Sequence, residues 1–231
     1  MIFKDVQPIY YGKSAELRLE QNRFLMRIWE NLRNIFCINL PAKLDLGGIS
    51  KVNIYLGDFE GSAYESPSSN GIATFRRSDF NFDDFCALPD HEKQNVSLFY
   101  IEDSLRQICR ILNTPEQTII DLAAAAAAVR ESSFEIRKVY KKTTKWNKNR
   151  SLKAVTELHH KTGGIDAHLF ILDAKENIVA QYKIIEDRFW EGVWFDLWKG
   201  VWHGSNFVIE NRIGAVFCSV DVTGSDGVLY P

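Results

Sequence analysis

The sequence predicts an α+β fold in which N-terminal helices pack with a C-terminal antiparallel β-meander. Apolar residues recur at three- and four-residue steps up to about residue 131 and alternate with polar ones after it, and the alternating runs are joined by connections short enough for hairpins. A mostly helical half with short strands, residues 1–131, therefore precedes a sheet half with a tryptophan-rich helix, residues 132–231. A chain of 231 residues also suits one continuous domain. With 45% hydrophobic and 25% charged residues, disorder and coiled coil are excluded.

From Glu16 to Phe36 the residues Leu17, Phe24, Leu25, Ile28, Trp29, Leu32, Ile35 and Phe36 fall on one helical face. Short extended pieces follow at 52–56 and 72–75, separated by Gly, Ser, Pro and Asn. Leu98, Ile101, Leu105, Ile108 and Leu112 define a second helix, with Asn113 as its stop. Thr114 then offers a capping hydroxyl, Pro115 a first helical position and Gln117 the third residue after the cap, so a third helix is expected to run to about Arg130. Its six alanines, 123–128, favour helix and admit a close neighbour.

Alternation at 134–137, 152–158, 167–171 and 179–185 predicts four consecutive antiparallel strands. Trp190, Trp194, Trp198 and Trp202 follow at four-residue steps, each beside an apolar neighbour. With Asp187 as cap and Gly204 beyond the end, they predict one helix over about 188–203 with Trp194 and Trp198 mostly buried. Two last strands are expected at 206–210 and 215–222.

The net charge of −2 gives no bulk attraction for nucleic acid, but the charge is unevenly placed. Residues 58–103 hold ten acidic side chains against Arg76, Arg77 and Lys93, whereas residues 137–153 hold eight basic ones and no acid, interleaved with Tyr140 and Trp146. Such runs are ordinarily solvated edges; the functional alternative is a charged partner. On the acidic side the candidate contacts are Asp79, Asp83 and Asp84, with Phe80, Phe82 or Phe85 as anchor. On the basic side they are Lys141, Lys142, Lys145 and Trp146, where nucleic acid is a further candidate.

A two-residue loop at Gly163-Gly164 would place His159 opposite His168 and Lys161 opposite Asp166. Glu157, His159, Asp166 and His168 would then share a face able to hold a divalent metal, with Lys161 beside them. A four-residue loop before the next strand would add Gln181 and Lys183. Asp166, Gln181 and Lys183 resemble the Asp, then Glu-x-Lys pattern of metal-dependent nucleases, with Gln181 where that pattern carries a carboxylate. The resemblance implies Asp166 and Lys183 as catalytic groups. The plain alternative is a polar strand face with a Lys161/Asp166 pair.

Cys37, Cys86, Cys109 and Cys218 form no Cys-x-x-Cys and read as free thiols. The opening Met1-Ile2-Phe3-Lys4-Asp5 has neither a basic region nor an apolar run behind it, and no stretch reaches membrane-span length. The expectation is a cytoplasmic, non-enzymatic binding protein, such as an inhibitor or immunity-type neutraliser of another protein, that uses no membrane and no cofactor. The alternative is a metal-dependent phosphodiesterase or nuclease built on the His159/His168 face.

Overall fold

A computed structural model describes residues 2–11, 15–61 and 63–222, without the side chains of residues 15–18 and 191, so the expected contribution of Leu17 lies outside the described set. The fold is α+β and divides into two compact units, Met1–Glu135 and Ile136–Pro231.

The first unit contains β1 (Asp5–Tyr11), α1 (Ala15–Asn39), β2 (Lys51–Gly57), β3 (Ala63–Glu65), β4 (Ile72–Arg77), α2 (Phe82–Ala87), α3 (Asp90–Ile111) and α4 (Glu116–Glu131). Its sheet has the order β1-β2-β4-β3, with β1, β2 and β4 parallel and β3 antiparallel to β4. The sequence reading found β2 and β4 but not β1, because Pro8 interrupts its pattern. Proline is tolerated there because β1 is an edge strand. Strand alternation buries Val6, Val52, Ile54, Leu56, Ala73 and Phe75, while Lys51, Asn53, Tyr55 and Thr74 on the opposite face are only half-buried. Helices α1 and α3 pack on this sheet, and α4 packs on both of them. Ala125 and Ala126 supply the buried part of the alanine run. Asn113, at φ 51°, ends α3 as expected. Thr114 does not cap α4, however: its hydroxyl donates to the Cys109 carbonyl at 3.3 Å, and Pro115 takes the N-cap position.

The second unit contains β5 (Ile136–Val139), β6 (Lys145–Trp146), β7 (Leu152–Lys161), β8 (Gly164–Asp173), β9 (Ile178–Arg188), α5 (Trp190–Asp196), β10 (Lys199–His203), β11 (Asn206–Glu210) and β12 (Val216–Asp221). Strands β5-β7-β8-β9 form the expected antiparallel meander, β6 adds to β7, and β10-β11-β12 form a second antiparallel sheet. Ala154, Leu158, Ala167, Leu169 and Ile171 from the meander join Val193, Leu197, Phe207 and Ile209 in its core.

Two expectations fail here. The hairpin turns at Thr162-Gly163, so Lys161 pairs with Gly164, His159 with Asp166 and Glu157 with His168. Gly164 is needed inside the strand, since a Cβ there would lie 2.6–2.7 Å from the backbone of Asp187. The tryptophan series is not one helix: α5 stops at Asp196, and Lys199 to His203 are strand. Gly200 explains the break, because a Cβ would meet the Phe207 ring at 2.7 Å and the Thr143 carbonyl at 2.8 Å. Among the described residues of this segment Val193, Leu197 and Gly200 are buried, whereas Trp194 is half-buried and Trp198 is 37% exposed.

Candidate functional site

Four separate pieces of the second unit converge on the two indoles of Trp194 and Trp198. Helix α5 carries Trp194, and Trp198 stands between α5 and β10, its ring centroid 5.6 Å from that of Trp194 and nearly perpendicular to it. The turn after β11 is shaped by Asn211, whose side-chain oxygen accepts from the N–H groups of Ile213 (3.1 Å) and Ala215 (2.9 Å). The Arg212 N–H fastens that turn to the Phe195 carbonyl at 2.9 Å. From this position the Arg212 guanidinium lies 4.3 Å from the Trp194 ring centroid. On the other side, the loop between β5 and β6 lies against β10, and the Trp202 indole N–H donates to the Lys145 carbonyl at 3.1 Å. Lys142 Nζ is held 3.9 Å from the Trp198 centroid and 5.7 Å from that of Trp194. Both cations thus sit over the electron-rich faces of one indole pair.

The charges around this pair are unbalanced. Within the basic run Arg137 pairs with Glu157 at 3.1 Å and Lys153 with Glu176 at 3.6 Å. Among the described residues Lys141, Lys142, Lys145, Lys148, Arg150 and Arg212 have no carboxylate within 4.0 Å. The second unit holds 14 basic and 11 acidic residues, the first 14 and 19, so these cations belong to the more positive of the two units. Lys141, Lys142, Lys145 and Trp146 are all exposed, as a contact surface requires.

The chain matches no protein-family model, and comparison with curated proteins and with solved structures gave no significant match.

The acidic candidates sit differently from expectation. Phe80 and Phe85 are buried and pack with each other and with Tyr100 and Trp29, so they anchor the core of the first unit and are not available to a partner. Phe82 is half-buried against Tyr10 and Phe24. Asp79 is bound by the buried Arg77, which holds its carboxyl below the usual range. Asp83 and Asp84 are exposed, their N–H groups donating to the Asn81 side chain that caps α2. A cleft of about 540 Å³ opens beside them, lined in part by Tyr10, Asp58, Asp79 and Asp83.

On the open face of the meander, a register shift of two keeps Glu157, His159, Lys161, Asp166 and His168 together and adds Lys183, paired opposite His168. Asp166 is nearly buried; burial would raise its carboxyl, but the Asp187 N–H at 3.0 Å and the ammonium groups of Lys161 (3.0 Å) and Lys183 (3.4 Å) outweigh that and hold it low. Burial, reinforced by Lys183 and Arg137 against Asp166 and Glu157, lowers His168. Lysines thus occupy the carboxylate a cation would need, and Glu157 is engaged by Arg137. Among the described residues no group of three or more His, Cys, Asp or Glu is placed to hold a metal ion, so Glu157, His159, Asp166 and His168 share a face without forming a ligand set. Asp166 and Lys183 are brought together, while Gln181 pairs opposite Phe170, further along the strand.

Sequence reasoning missed Arg212 and the union of the basic run with the tryptophans. Lys142, Trp194 and Arg212 are far apart in the chain, and no local pattern links them.

Proposed function

We propose that the chain is a cytoplasmic, non-enzymatic binding protein, of the inhibitor or immunity-type neutraliser class, that engages another protein through the cation–indole surface of its second unit. One observation carries this reading: Lys142 and Arg212 are held over Trp194 and Trp198 with no carboxylate within 4.0 Å among the described residues. Tryptophan and arginine are the residues that most often dominate protein interfaces, and surrounding lysines accelerate encounter with an acidic target. The cytoplasmic assignment is supported by four free cysteines, with burial pushing the thiols of Cys37 and Cys218 up to about 12. No helix among the described residues is long and apolar enough to cross a membrane.

The test uses the chain as bait in an extract of its native host. Reversing Lys141 and Lys142 to Glu should abolish capture of the specific partner, and reversing Asp83 and Asp84 to Lys should leave it intact. Capture that survives the lysine reversal, or is lost only with the aspartate reversal, overturns the assignment of this surface.

A further inference from the structure

We infer that the surface around Trp194 and Trp198 recognises an acidic amphipathic segment of a protein, in which carboxylates meet Lys142 and Arg212 and an apolar side chain lies against the aromatic ledge between them. The inference rests on the binding role proposed above and specifies the chemistry of the partner.

Charge complementarity gives the first half. An ammonium over an indole face still presents donors outward, and a guanidinium lying on a ring keeps its in-plane N–H fork open to a carboxylate. Both cations are positioned before any partner arrives, Lys142 by Trp198 at 3.9 Å and Arg212 by Trp194 at 4.3 Å, so little side-chain freedom is lost on contact.

Apolar exposure gives the second half and distinguishes a protein segment from a nucleic acid strand. Phe195 and Trp198 are each 37% exposed, and Ile213, the residue after Arg212 in the turn fastened to α5, is 78% exposed. A single strand of nucleic acid needs open aromatic faces for its bases. Here each indole already carries a cation of the chain on one face, and the two rings meet edge to face rather than as parallel shelves. An exposed isoleucine next in the chain to an arginine that lies over two indoles suits a Leu or Phe flanked by Asp or Glu.

A random-peptide display library selected on the full chain tests this. The enriched sequences should carry two or more Asp or Glu around a large apolar residue. A synthetic peptide of that sequence should change the tryptophan fluorescence and bind more weakly as salt rises. The Lys142→Gln/Arg212→Gln variant, checked for an unchanged melting temperature, should bind it about tenfold more weakly or worse. The inference is overturned by no enrichment, by enriched peptides without acidic residues, or by a short single-stranded oligonucleotide that binds more tightly than the peptide and depends on the same two residues. If any of these occurs while the variant still loses the partner captured from the host, the binding role stands and only the partner chemistry fails. If the variant keeps that partner, the binding surface itself is wrong.

Discussion

Acidifying the protein from pH 7.5 to pH 4 should cost the second unit about 3 kcal/mol at His160 alone. His160 lies on the core side of β7, 3% exposed, with its ring 6.0 Å from that of Trp190 and its Nδ1 without a hydrogen-bond partner. Burial, with smaller contributions from Lys138 and His159, lowers its pKa from 6.5 to about 4. The unfolded chain therefore takes up this proton first as the pH falls. Its contribution is complete above pH 6.5, declines as the pH drops through 6.5 toward 4, and changes no further below that. A depression of about 2.5 units at 1.36 kcal/mol each gives about 3 kcal/mol in total, of which about 2 kcal/mol is gone by pH 5. Five of the six tryptophans are in the second unit, so urea denaturation followed by tryptophan fluorescence reports it directly. His160→Phe keeps a ring beside Trp190 and removes the titration; His160→Gln checks the result without an aromatic ring. Both variants should lose much less stability than the wild type between pH 7.5 and pH 5. His168, also lowered, is unchanged in all three proteins, so its contribution cancels in the difference. Parallel losses in the three proteins would refute the argument that His160 is buried neutral.

Leu197→Ala should destabilise by about 3 kcal/mol in denaturant, whereas Trp198→Ala should change stability little despite removing the larger group; equal costs would contradict the placement of Leu197 in the core and Trp198 at the surface. Gly200→Ala should cost about 2 kcal/mol, because the Phe207 ring and the Thr143 carbonyl leave no room for a methyl group, and an unchanged melting temperature would show that this approach relaxes freely. Asp166→Ala should cost about 2 kcal/mol by leaving the Asp187 N–H without its acceptor; the loss is moderated because Lys161 keeps Asp187 and Lys183 keeps Glu186, and a neutral result by calorimetry would mean that water replaces the carboxylate.

Where burial follows local periodicity, the structure was legible in the sequence. The faces of α1 and α3, the alternation of β7 to β9 and the bounds of β11 depend only on which side of an element meets the core. Strand β1 was hidden because Pro8 opposes strand propensity and only edge placement accommodates it. The tryptophan repeat was misread because four-residue spacing serves a helix and a strand equally, and the deciding contact, Gly200 against Phe207 and Thr143, is tertiary. Phe80 and Phe85 looked like surface anchors among acids, yet α2 turns Phe85 inward and Phe80, just before the Asn81 cap, is buried as well, while Asp83 and Asp84 stay in water. The basic half of the candidate site was visible as composition. Its geometry was not, since Arg212 reaches Trp194 only through the turn held by Asn211.

The β7–β8 hairpin turned out to be offset by two residues from the Gly-Gly alignment, and an offset of two returns every side chain to the same side of the sheet. The apolar pattern is therefore satisfied by two competing alignments, and burial supplies no free-energy gap between them. A gap arises at the turn: the observed alignment draws Gly164 out of the loop and into β8 opposite Lys161, where the lack of a Cβ lets it lie against the Asp187 backbone, whereas Lys161 has Asp166 in reach in either alignment. A missing methyl group at Gly164 thus helps to set the register of about twenty residues of backbone, a contribution that a tally of hydrophobic contacts would never reveal.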